Sequence, residues 1–123
     1  MATIKSYTDL SQSKTLSKIL PLESADMYWW SSGKRYYIEA MDDGDFNEEE
    51  GHIRAWSLAA LLNVLPKNLN IGRPSLESNY KGCYWIQYYD EFMKPNNYKT
   101  ECFNNPIDAC VAMIEKLNEL KML

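Results

Sequence analysis

His52 is the single histidine of the chain, and it follows Glu48, Glu49 and Glu50. An imidazole beside carboxylates can pass protons near neutral pH or ligate a metal. No serine-elbow, phosphate-loop, zinc-helix or dinucleotide glycine motif accompanies it, so it reads as a surface or hinge histidine. Just upstream, Asp43-x-Asp45-x-Asn47 spaces oxygen ligands as a calcium loop opens. The sixth position of such a loop needs glycine and the twelfth a bidentate glutamate; here they are Glu48 and Arg54. The segment therefore reads as a solvated acidic loop, and no catalytic residue, cofactor or metal ligand is assigned.

Cys83, Cys102 and Cys110 are odd in number and show no C-x-x-C spacing. Neither a disulfide framework nor a structural zinc site is suggested, and buried thiols are the expectation. Cys110 falls early in a helix, where the dipole favours a thiolate, but it lies on the apolar stripe, which favours packing. Cys83 and Cys102 fall on strands expected to pair, and the redox poise of a cytoplasm argues against a bridge.

The more informative group is aromatic: Tyr28, Trp30 and Tyr37 in one half, Trp85 and Tyr89 in the other. Tryptophan and tyrosine are enriched at the centres of protein interfaces. The same residues read equally as a second layer of core, should the first helix or the long loop fold over them, so what they do depends on the elements that carry them. Met27 to Trp30 and Arg35 to Met41 are β-rich runs, and Ser32-Gly33 between them suits a two-residue hairpin turn. That turn sets Trp30 opposite Arg35 and Tyr28 opposite Tyr37. It sends Met27, Trp29, Tyr36, Ile38 and Ala40 to a core face, and Asp26, Tyr28, Trp30, Arg35, Tyr37 and Glu39 to the other.

A first helix is expected from Asp9 to Leu20 with Thr8 as N-cap, stopped by Pro21. Ser57 can cap a short, central helix through Leu65, ending at Pro66. Lys67 to Lys81, with Gly72 and Pro74, reads as an irregular connection. Cys83 to Tyr89 and Tyr98 to Phe103 read as strands joined by a turn at Pro95-Asn96-Asn97. The last helix has Asn105 as N-cap, Pro106 in its first turn, and Ile107, Cys110, Val111, Ile114 and Leu117 as its buried stripe. The order α-β-β-α-β-β-α predicts a single α+β domain over residues 1–123, with a mostly antiparallel sheet of about four strands and helices mainly on one face.

Length and composition fit that reading. At 123 residues, with 46% hydrophobic and 24% charged residues, one core suffices. The net charge of −4 is concentrated between Asp42 and Glu50. A weakly acidic chain lacks the positive field that supplies most affinity for nucleic acid, and Asp26 and Glu39 share the face that holds Arg35. No apolar run is long enough to span a bilayer, and the polar N-terminus lacks a signal-peptide core; a cytoplasmic protein without a membrane partner is expected.

Three segments, Ile19 to Tyr28, Ala55 to Leu62 with Val64 to Pro66, and Asn105 to Leu117, cover about a third of the chain. They resemble a group of small uncharacterised proteins encoded by gut Bacteroidetes and their mobile elements. The resemblance implies a bacterial or phage-related setting and carries over no active residue. The expected function is a non-catalytic binding or accessory module, contacting a protein or a second copy through Tyr28, Trp30, Arg35, Tyr37, Trp85 and Tyr89. The alternative is a small-molecule or nucleic-acid site on the same aromatics, closed by Lys67 to Lys81. An enzyme of unrecognised class comes third.

Overall fold

A computed structural model describes residues 5–41 and 44–123. It is an α+β fold of three α-helices and two three-stranded antiparallel sheets among those residues. The chain divides into two compact units, Ser6–Ala60 and Leu61–Leu123, the second including Lys5. The anticipated four-stranded sheet is therefore replaced by two smaller ones. The anticipated order of helices and hairpins holds, with two further strands.

In the first unit α1 (Leu10–Ser17) starts at Asp9, not Thr8. Asp9 accepts from the Gln12 amide at 2.8 Å and the Gln12 side chain accepts from the Asp9 amide at 3.1 Å, a capping box that satisfies two helix-end donors. The helix ends before Leu20, and Arg54 donates to the free carbonyls of Ser17 and Leu20 at 3.4 and 3.2 Å. Strands β1 (Met27–Ser31), β2 (Tyr36–Ala40) and β3 (Ile53–Ala55) form a sheet in the order β2-β1-β3.

The hairpin loop has four residues, Ser32 to Arg35, closed by the Ser32 amide donating to the Arg35 carbonyl at 3.1 Å. Trp30 thus pairs with Tyr37 and Tyr28 with Glu39. Relative to the two-residue turn, the register moves by two positions. Because side chains alternate with period two, each stays on its expected face.

Helix α2 (Leu58–Val64) contains the division between the units, and Ser57 caps it by accepting the Ala60 amide at 3.2 Å. In the second unit β4 (Arg73–Ser78), β5 (Tyr84–Tyr89) and β6 (Pro95–Lys99) form a sheet with β5 central. The stretch read as irregular between Lys67 and Lys81 thus holds a strand, whose Pro74 is tolerated because β4 lies at an edge. The turn before β6 lies at Asp90 to Met93, where Asp90 accepts the Phe92 and Lys94 amides at 2.9 Å and Met93 takes φ 62°, so β6 starts earlier than expected.

Helix α3 (Pro106–Glu119) lies against β5 and buries Ile107, Cys110, Val111, Ile114 and Leu117 as its spacing predicts. The Asn105 side chain accepts the Asp108 amide at 2.9 Å, and Asp108 in turn holds Lys5 at 2.8 Å.

Two of the three cysteines depart from the expectation of buried thiols. Cys83 and Cys102 form a disulfide with Cα atoms 5.5 Å apart; Cys102 is exposed and Cys83 half-buried. The adjacent Tyr84–Phe103 bridge, with N–H···O distances of 2.7 and 2.8 Å, brings the two chain segments together. The clip spans 19 residues, a loop whose closure is worth about 3 kcal/mol in the chain-entropy account. A reductant should therefore lower the urea midpoint of the wild type, and C83A/C102A should show that lowered midpoint with or without reductant. Equal midpoints for oxidised and reduced protein would show that the clip contributes nothing.

Candidate functional site

The hairpin carries the most exposed aromatic cluster of the first sheet. Trp30 and Tyr37, paired across the strands, stack with ring centroids 4.7 Å apart and an interplanar angle of 27°. Tyr37 is 40% and Tyr36 44% exposed, and Arg35 and Glu39 are exposed beside them. The Trp30 indole N–H is buried without an acceptor among the described residues. Such a donor costs about 1–3 kcal/mol, an expense found where a structure is poised for something else or where water enters.

Tyr28, on the same face, is not part of an open surface. It is 3% exposed, its hydroxyl donates to Glu39 at 3.0 Å, His52 stacks on it at 5.0 Å, and Phe46 meets it edge-on at 5.8 Å. The segment read as a solvated loop folds back over it. His52 is fixed there: its Nδ1 accepts the Asn47 amide at 3.0 Å, which places the ring proton on Nε2 in the neutral form. Glu48 pairs with Arg54 at 2.6 Å, and Asn47 accepts the Glu49 amide at 2.9 Å. Asp43 of the calcium-like pattern lies outside the described residues.

The opposite face of the hairpin, expected to be core, is only partly so. Trp29 is half-buried, donating its indole N–H to the Thr8 carbonyl at 3.1 Å and meeting Tyr7 edge-on at 5.6 Å. Tyr36 and Ala40, assigned to that core, are exposed. Tyr36 is an exposed aromatic that the sequence reading assigned to the core, since alternation names the face and says nothing of what lies against it.

Trp85 and Tyr89 lie on β5 of the other sheet, so the six residues expected on one platform are carried by two sheets. Lys99 sits 5.9 Å from the Trp85 ring centroid. The Tyr89 hydroxyl contacts Glu77, and that hydrogen bond, then burial, then the carboxylate charge raise its pKa. Tyr89 also lines an open cleft of about 710 Å³ with Lys67, Arg73 and Asp90. Gly72 lets the backbone close against this strand: at φ 94°, a β-carbon there would collide with the Tyr89 carbonyl.

No group of three or more histidine, cysteine, aspartate or glutamate side chains positioned to hold a metal occurs among the described residues, and none of their helices is long and apolar enough to cross a membrane. No family model, curated protein or solved structure matches the chain.

Cys110 is fully buried in α3, and burial pushes its thiol from an ordinary 9.0 up to about 12. It should resist iodoacetamide at pH 8 in the native protein and react in urea. Rapid native labelling would contradict a packing role. The unfolded thiol ionises first, so its contribution to stability is intact below about pH 9 and is lost as pH rises toward about 12.

Proposed function

We propose that the protein is a non-catalytic binding module that contacts another protein, or a second copy of itself, through the outer part of the β1–β2 hairpin. The observation that carries this is the stacked Trp30–Tyr37 pair at the surface, flanked on the same face by exposed Arg35 and Glu39. Stacked rings held by a strand pair are ordered before binding, so little side-chain entropy is lost on contact. A guanidinium beside them adds a charged donor of the kind enriched at interface centres. A bacterial setting with mobile elements belongs to the same proposal; a cytoplasmic one requires Cys83 and Cys102 to stand there as thiols, because a reducing poise opposes their bridge.

Trp30→Ala and Tyr37→Ala should each weaken the association at least about tenfold, about 1.4 kcal/mol, while the thermal transition stays cooperative. Sedimentation over a concentration series reads self-association, and affinity capture from the native host reads a foreign partner. Association unchanged in both variants, with intact folding, would sink the proposal.

A second reading is supported by the cleft beside Tyr89, where Lys67, Arg73 and Asp90 offer both charges around one aromatic ring. A small polar molecule, such as a nucleotide or a sugar, is the ligand class that suits it. Such a ligand at a hundred times its Kd should stabilise the wild type by about 2.7 kcal/mol and leave Arg73→Ala unaffected. No shift in a thermal screen of nucleotides and sugars would remove this reading.

A further inference from the structure

Strand β2 is an edge strand, and its hydrogen-bonding phase follows from two bonds at its ends. The Met41 amide donates to the Asp26 carbonyl at 2.9 Å, and the Ser32 amide donates to the Arg35 carbonyl at 3.1 Å. Both pairs belong to the register that sets Tyr28 against Glu39 and Trp30 against Tyr37. Bonded and non-bonded pairs alternate in an antiparallel ladder. Tyr37 and Glu39 therefore turn their backbone groups toward β1, and Tyr36, Ile38 and Ala40 turn theirs to the side where no strand pairs among the described residues.

Natural sheets blunt such an edge with proline, charged side chains (lysine above all), a bulge or a short strand, and Glu39 is the one charge that β2 carries. The other edges here follow that pattern: β3 has three residues, β4 contains Pro74 and β6 begins at Pro95. Tyr36-Tyr37-Ile38-Glu39-Ala40 contains no proline, glycine or lysine, and all but Ile38 are exposed.

We propose that β2 pairs with β2 of a second copy, antiparallel about a two-fold axis through Ile38, joining two three-stranded sheets into one of six. This rests on the contact reading above and names its partner. The argument for a second copy is self-complementarity. An axis at Ile38 places the outward groups of Tyr36, Ile38 and Ala40 opposite those of Ala40, Ile38 and Tyr36 of the second copy, so every donor meets an acceptor. It sets Tyr37 opposite Glu39 of the second copy, with Arg35 diagonal to that same carboxylate, within reach of a long side chain. The two-fold repeats this ion pair. An axis one position further along, at Glu39, would oppose two carboxylates directly, which like charge disfavours.

Amide exchange followed by NMR, at dilute and concentrated protein, should show added protection at Tyr36, Ile38 and Ala40 in the concentrated sample. Arg35→Glu and Glu39→Arg should each weaken the dimer about tenfold, by turning two attractive contacts repulsive. Mixing the two variants should restore association, because each then meets its opposite charge; loss of the Tyr28 hydrogen bond in Glu39→Arg cannot produce that recovery. Equal exchange of the three amides at both concentrations would overturn edge pairing, as would a mixture no more associated than its components. If Trp30→Ala and Tyr37→Ala abolish association while amides and charges have no effect, the contact reading stands and edge pairing falls. A chain monomeric throughout the range overturns edge pairing and leaves the contact surface to a foreign protein.

Discussion

The first unit is organised around Thr8, a buried residue whose polar atoms are all engaged. Its amide donates to the Trp56 carbonyl at 2.9 Å, and its hydroxyl accepts the Trp56 amide at 3.1 Å. The same hydroxyl shares a 2.7 Å hydrogen bond with Ser13 of α1, and its carbonyl receives the Trp29 indole. Helix α1, the residue after β3 and the central strand β1 therefore meet at one residue, through its backbone and its hydroxyl together. Leaving any of these groups unpaired would cost about 1–3 kcal/mol, so they constrain one another. With Trp29 tied on this side of β1, alternation sends Tyr28 and Trp30 to the other, and the surface pair with Tyr37 follows.

The parts of this arrangement that depend on local chemistry were legible in the residues. Asn105, Pro106 and the apolar spacing of α3 fix a helix whose buried stripe is as read. The hairpin's face assignment survives a wrong turn length because an error of two positions returns every side chain to the same side. What lies against a face is a tertiary fact. Phe46, a large apolar residue inside an acidic run, was the available sign that the loop would fold back, and it covers Tyr28 with His52. Strand β4 was hidden because Gly72 and Pro74 have loop chemistry, tolerated here at a tight turn and a sheet edge. The Cys83–Cys102 pairing is not legible from a redox argument about the compartment, which carries no information about geometry.

The segments that carried the resemblance hold the fold. Ser24 accepts the Trp56 indole at 3.0 Å, and Asp26 accepts both the amide and the hydroxyl of Ser57. The Ser57 hydroxyl in turn caps α2. Asn105 and Asp108 likewise serve the start of α3. The residues with chemical capacity are similarly committed: His52 to the Asn47 amide, Glu48 to Arg54, Cys110 to the α3 interior. These interactions serve the fold, and the proposed contact rests instead on the exposed hairpin.

Magnitudes decide how a hairpin edge and a ring pair must share the work of association. Three bonded pairs between two copies of β2 would add about six backbone hydrogen bonds, each worth about 0.5–1.5 kcal/mol net. Their sum, about 3–9 kcal/mol, barely meets the roughly 4–15 kcal/mol lost in rotational and translational freedom. A ladder alone would leave the chain monomeric at ordinary concentrations. Burial of Tyr36, Tyr37 and Ile38 has to supply the surplus, at about 25 cal/mol for each Å² of apolar surface removed from water. In the proposed dimer the rings would set how tightly the copies hold, and the ladder with the Arg35–Glu39 pairs would set their direction and register; such a division would produce a reversible, concentration-dependent association.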